Sequence, residues 1–151
     1  MVPAQPEGSS VLGDFSSDEV WSMFANTTQD LLDNKDVDYI IPCGTAIQNA
    51  RHTYLDDMGC YGHLSYDGRH LQEGIPCMIE AFTATQCFFD IFTIGASIQS
   101  SSLQITPQIA STIKVPGRHG GVIEGSEADY ALCKQCALFA IGNPYSISNY
   151  D

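Results

Sequence analysis

The sequence predicts an α/β fold that is rich in helix and contains at least one strand of a parallel sheet. A helix over about 17–33 is expected, because a serine can cap it, acidic residues occupy its first turn, and apolar residues such as Trp21 and Phe24 recur at helical spacing. After a short polar loop, residues 37–42 form a β-branched run closed by a proline, which is typical of a buried strand in a parallel sheet. Helix, loop and strand together make one αβ step.

Helices account for most of the remaining chain. The turn at Gly44 and Thr45 leads into a second helix, which Thr45 can cap. Residues 56–67 are predicted to form a loop, and three further helices are predicted over about 74–94, 107–113 and 128–141. One strand cannot satisfy its own backbone hydrogen bonds. We therefore expect further strands in the N-terminal lead-in or in the connector at 95–126, or a sheet completed by something absent from this chain.

The composition favours a single folded domain preceded by a flexible lead-in over 1–14. The 151 residues are 44% hydrophobic and only 16% charged, which is the balance of a chain that folds. Six basic and 18 acidic residues give a net charge of −12. Nucleic acid and anionic membrane surfaces are therefore unfavourable partners, whereas neutral or cationic ligands fit better.

No targeting or membrane-spanning segment is evident. The chain starts with neither the basic nor the apolar region of a secretory signal, so we expect a cytoplasmic protein. The most apolar stretch, 75–94, carries Glu80, Gln86 and Asp90, which are costly within a bilayer. We interpret this stretch as a buried helix.

The six cysteines leave two interpretations open. Cys133 and Cys136 form a C-x-x-C pair within a helical pattern, where cysteines usually behave as small buried hydrophobes. The alternative is a zinc site in which Cys60 and His63 supply the other two ligands. The cysteine density is low for a disulfide scaffold, so a reducing compartment is favoured.

The most informative polar cluster is Asp67 and His70, which lie three residues apart on a glycine-containing loop before a helix. This spacing lets the carboxylate hold the imidazole in one tautomer, as a general base requires. The alternative is an aspartate that caps the following helix beside a surface histidine. His52 and His119 are predicted to be surface residues on a helix and on a turn, respectively.

Two motifs occur in a defined order, IIPCGTAIQNAR at 40–51 and DGRHL at 67–71. Together they resemble the C-terminal half of a bacterial branch of the SGNH (GDSL-like) hydrolases, a branch catalogued as a domain of unknown function. The resemblance implies an incomplete three-layer α/β/α sandwich with a flavodoxin-like parallel sheet over 15–151. It also implies hydrolysis of a small-molecule or carbohydrate ester, with no cofactor.

The resemblance also implies roles for individual residues. His70 corresponds to the general base and Asp67 to the carboxylate that orients it. Gly44, Thr45, Gln48 and Arg51 match the first motif and are expected to support the site.

The chain departs from the pattern at its N-terminal end. The Gly-Asp-Ser or Gly-Asn-Ser block that carries the nucleophile is not evident, and Ser16 or Ser17 is a poor substitute because no room remains for the intervening strands. We therefore expect a partial hydrolase domain with little activity alone. The alternative is a non-catalytic interaction or remnant module. An incomplete sheet would also favour self-association through its exposed edge.

Overall fold

The computed structural model describes residues 16–58, 64–65, 71–93, 107–110, 115–116, 122–123 and 125–148. These residues form five helices and one short antiparallel strand pair. The helices are α1 (Ser17–Asp33), α2 (Cys43–Arg51), α3 (Ile75–Thr93), α4 (Pro107–Ala110) and α5 (Glu127–Gly142). A 3-10 turn spans Asp56–Met58, and strands β1 (Val115–Pro116) and β2 (Val122–Ile123) pair with each other. The predicted lead-in at 1–14 lies outside the described residues.

The long helices begin and end where local chemistry favours it. Ser16 caps α1 and forms a reciprocal capping box with Glu19, and Ser126 does the same for α5 with Asp129. At the other end of α1, Lys35 adopts a left-handed φ of 61° and closes the last turn by donating its backbone N–H to Leu32. The predicted helix over 17–33 is therefore confirmed.

The core lies between α2, α3 and α5. Every residue of α2 from Thr45 to Ala50 is buried, and the apolar ones pack against α3 and α5. The core members on α3 include Ile79 and Phe82, so the interpretation of this apolar stretch as a buried helix is confirmed for the described residues. Within the described part of the chain, no helix is both long and apolar enough to cross a membrane.

The predicted α/β sandwich with parallel strands is wrong for the described residues. The run at 37–42 is not a strand but an irregular connector between α1 and α2, and its apolar side chains face outward, with Tyr39 65% exposed. Parts of the connector at 95–126 do form strands, but β1 and β2 are two residues long and antiparallel. The physical reason is pairing: a β-prone run becomes a strand only beside another strand, and none lies next to 37–42 in the described structure.

Candidate functional site

Helix α2 holds all four residues that were predicted to support a site. Gly44 and Thr45 lie in its first turn, Gln48 follows one turn later and Arg51 ends the helix. Gln48 lies three or four residues after both Gly44 and Thr45, and Arg51 follows three residues later, so the four positions lie on one side of the helix. Because α2 is the most buried helix, polar groups on this side must be paired with groups on neighbouring elements.

Thr45 connects three parts of the fold through its hydroxyl. The Trp21 indole N–H donates to Thr45 Oγ1 over 3.2 Å, and Thr45 Oγ1 donates to the Pro144 carbonyl over 2.6 Å. The hydroxyl therefore joins α1, α2 and the turn after α5, with both its donor and an acceptor site in use. This supporting role is structural, since the hydroxyl's one proton is in use and Thr45 is buried.

Gln48 and His52 attach α2 to the start of α1. Gln48 Nε2 donates to Ser17 Oγ over 3.2 Å and to Asp18 Oδ1 over 2.5 Å, and His52 Nε2 lies 2.9 Å from the same carboxylate oxygen. His52 is thus at the surface, as predicted, but it has a specific partner. Gln48 Oε1 is buried and has no hydrogen-bond partner.

The two serines considered as nucleophiles have other roles in the structure. The Ser16 hydroxyl donates to Glu19 Oε2 and accepts from the Glu19 backbone N–H. The Ser16 backbone N–H donates to the same carboxylate oxygen, and this bond, followed by the one from the hydroxyl, lowers the pKa of Glu19. The Ser17 hydroxyl accepts from Gln48. Among the described residues, neither hydroxyl has a histidine as a hydrogen-bond partner, so the described part of this region shows no serine–histidine contact of the kind that nucleophilic activation needs.

Arg51 reaches beyond its own helix to Asp56. Its Nε lies 4.0 Å from Asp56 Oδ1, and that oxygen also accepts the backbone N–H of Leu64 over 3.1 Å. Burial lowers the pKa of Arg51, and the carboxylates of Asp56 and Asp18 oppose this effect. Asp56 therefore anchors the start of the segment that carries the second motif.

The two ends of that segment are held together at the core. Ser65 pairs with Leu71 in an isolated antiparallel bridge, and the Gln72 N–H donates to the Leu64 carbonyl over 3.0 Å. Leu64, Ser65 and Gln72 are all buried. Asp67 and His70 lie between these ends, outside the described residues, so their predicted contact stays a prediction.

The structure places both cysteines of the C-x-x-C pair in the core. Cys133 and Cys136 are free thiols that are completely buried on α5, and burial raises the pKa of Cys133. This agrees with the interpretation of buried helix cysteines. The described residues contain no group of three or more side chains suited to holding a metal ion. Cys60, His63 and His119 lie outside the described part of the chain.

Sequence reasoning missed Asp56 and the polar cluster around Asp18. Asp56 lies within a predicted loop, and nothing in its neighbours distinguishes it from the exposed Asp57. Asp18 was treated as a first-turn acidic residue of α1, but its contacts with Gln48 and His52 span 30 and 34 residues. Such long-range contacts leave no periodic signal in a sequence.

Comparison with known proteins gives one match. A family model described as "Domain of unknown function (DUF4886)" matches residues 9–111, about two thirds of the chain. The matched region contains both motifs, together with α1, α2 and α3. No curated protein and no solved structure matched the chain.

Proposed function

The chain belongs to the family described as a domain of unknown function (DUF4886). From the resemblance of its motifs at 40–51 and 67–71 to SGNH hydrolases, we propose that it carries the base-bearing part of an SGNH-type acyl ester hydrolase. Asp67 and His70 are the proposed orienting carboxylate and general base. The proposal concerns chemistry and not architecture, since it needs no parallel sheet in this chain. Its main support is the anchoring of both ends of the loop that bears the two residues.

The anchoring supports the proposal because a general base must be held in place. Proton transfer requires the base to stay within hydrogen-bond reach of its partner, and a freely moving loop would not keep it there. Here Leu64 and Gln72 hydrogen-bond to each other where the loop begins and ends. Asp56, paired with the buried Arg51, holds the same point against α2.

The anchors also give the first motif a role in the proposed site. Arg51 ends that motif, and through Asp56 it connects the motif to the loop of the second motif. Thr45 and Gln48 act further back by fixing α2 to α1. In this proposal the first motif supports the segment that carries the second.

In the proposed reaction, His70 accepts the proton of a hydroxyl nucleophile as the oxygen attacks the acyl carbon. The imidazolium then returns the proton to the leaving alcohol, and water releases the acyl group by the same proton route. The Asp67 carboxylate stabilises the imidazolium that forms between these steps. No residue of the described structure is assigned as the nucleophile, and the chain alone is expected to be a weak catalyst.

The test compares this chain with the product of its complete natural reading frame. Both are assayed for release of p-nitrophenol from p-nitrophenyl acetate, each as wild type, as His70→Ala and as the matched control His52→Ala. We expect a Gly-Asp-Ser or Gly-Asn-Ser block in the complete frame and hydrolysis that falls about 10²–10⁴-fold in His70→Ala. The control should keep its activity, since His52 belongs to the separate contact with Asp18.

Two outcomes would overturn the proposal. One is hydrolysis that is equal in wild type and His70→Ala. The other is a reading frame without a nucleophile block whose product has no activity that depends on His70. The second outcome would favour the non-catalytic interaction module instead.

A further inference from the structure

Helix α1 is only partly covered by the rest of the protein. Of its 17 residues only Val20 and Trp21 are buried, both near its start. Further along, Phe24 and Leu31 remain 52% and 41% exposed. An amphipathic helix normally buries its apolar side, so this exposed side indicates a surface that another group covers.

The connector at 37–41 extends this apolar surface. Val37, Tyr39 and Ile41 alternate along it and are all exposed. The backbone N–H and C=O groups of 37–40 make no hydrogen bond in the described structure, although the neighbouring Asp36 and Cys43 N–H groups do. A β-prone segment with free backbone groups is suited to pairing with one more strand.

A small cavity of about 180 Å³ lies where α1, this connector and the turn after α5 meet. Its walls include Trp21, Phe24, Ile41 and Tyr145, and they expose polar and apolar surface in similar amounts. The cavity is smaller than a typical small-molecule site and suits one inserted side chain. The Trp21 N–H is already bonded to Thr45, whereas the Tyr145 hydroxyl is buried and has no hydrogen-bond partner.

The charge beside this surface is strongly one-sided. Residues 30–38 contain four aspartates, Asp30, Asp33, Asp36 and Asp38, against a single lysine, Lys35. A second copy of the chain would bring the same aspartates and a second charge of −12 to the contact. Charge complementarity therefore favours a basic partner.

We propose that these features form a docking surface for an extended, basic segment of a partner protein. The surface, named here the α1 docking surface, consists of Phe24, Leu31, residues 37–41, Tyr145 and the four aspartates. The partner's backbone pairs with 37–41, one aromatic or branched apolar side chain fills the cavity, and flanking lysines or arginines face the aspartates. This binding is independent of Asp67 and His70, so it stands or falls separately from ester hydrolysis.

The test uses a defined probe, the fluorescein-labelled peptide Lys-Val-Lys-Phe-Lys-Val-Lys, and measures its fluorescence anisotropy with the full chain. We expect saturable binding that weakens at least tenfold in Phe24→Ser. The matched control is Leu138→Ser, which replaces a 46% exposed leucine on α5 and should bind the peptide as tightly as wild type does. The double variant Asp33→Asn/Asp36→Asn should weaken binding and reduce its salt dependence, with Asp57→Asn as its control. Circular dichroism verifies that each variant is folded.

Two further peptides test the geometry of binding. Replacement of Val and Phe in the probe by Ser keeps the charge, and methylation of alternate backbone nitrogens removes the donors needed for strand pairing. Both should bind at least tenfold more weakly than the parent. Equal binding of the Ser peptide, or equal losses in Phe24→Ser and Leu138→Ser, would show only non-specific attraction and would overturn the proposal. The proposal would also be overturned if the free chain forms a dimer that both the Phe24→Ser substitution and the probe peptide dissociate. That result would favour docking between two copies of the chain.

Discussion

At the residue scale, single polar groups hold the helices together. The Thr45 hydroxyl is an example, because it accepts from Trp21 and donates to Pro144 across sequence separations of 24 and 99 residues. Such a group contributes mainly through what its loss leaves behind, since the buried Trp21 N–H and the partly buried Pro144 carbonyl would then both lose this hydrogen bond. Asp56 acts similarly between Arg51 and Leu64.

Thr45→Val is expected to lower the free energy of unfolding by about 1–3 kcal/mol, because the shape is kept while the buried Trp21 N–H and the partly buried Pro144 carbonyl lose their partner. Thr27→Val is the matched control. It removes a hydroxyl that bonds only to its own helix on the exposed side of α1, so its effect should stay within about 0.5 kcal/mol. Urea denaturation measures both values, and equal effects would contradict the role given to Thr45.

Asp56→Asn tests the anchor of the loop that carries Asp67 and His70. The amide can still accept from the Leu64 N–H, but the largely buried Arg51 side chain loses the negative charge of Asp56, which should cost about 1–3 kcal/mol. Native-state hydrogen exchange should show faster exchange at Leu64 and Gln72 than in wild type. Asp57→Asn, at the exposed neighbouring position, should change neither the stability nor the exchange.

At the element scale, the helices were predictable because their signals are local. The serine caps, the acidic first turns and the helical spacing of apolar residues lie within each segment, and α1 and α5 follow them closely. The irregular conformation of 37–42, where a strand was predicted, was not predictable from the same kind of signal. A β-branched run indicates only the capacity to pair, and the described structure provides no neighbouring strand.

Asp129 is expected to make the stability of the protein depend on pH in the acidic range. Burial raises its pKa, but hydrogen bonds from Ser126 and Tyr54 outweigh this and hold the pKa below its usual value. Its contribution is therefore complete above the unfolded-state pKa, near 3.8, and is lost as the pH falls through the lower folded-state value. Between about pH 5 and pH 2, Asp129→Asn should lose less stability than wild type, and the difference should be smaller than about 1 kcal/mol. Thermal melts across this range measure the effect, and Asp57→Asn should keep the wild-type slope.

The cysteines of α5 are expected to resist modification in the folded protein. Cys133 and Cys136 are completely buried, whereas Cys77 is exposed on α3. Iodoacetamide at pH 8 followed by peptide mass mapping should therefore modify Cys77 well before either α5 cysteine, and unfolding in urea should remove the difference. Modification of Cys133 as rapid as that of Cys77 would contradict the placement of α5 in the core and would reopen the zinc alternative.

At the scale of the whole molecule, the sequence grouped four residues that share one helix but did not predict the arrangement of the elements. Gly44, Thr45, Gln48 and Arg51 were singled out as a set, and the structure places them along one side of a buried helix. Their partners Asp18 and Asp56 were not foreseen, because these contacts depend on how α1 and the loops fold back onto α2. The sheet prediction failed for the same reason, since long-range pairing is not encoded in one segment.

The central claim is that Asp67 and His70 form a catalytic pair on a loop anchored by Leu64 and Gln72. The most direct measurement is an NMR pH titration of the His70 ring in wild type and in Asp67→Asn, with the His52 ring as an internal control. If the carboxylate contacts the imidazole, its neutralisation removes the stabilisation of the imidazolium, so the pKa of His70 should fall while the His52 titration curve stays unchanged. Identical His70 titration in the two proteins would contradict the claim.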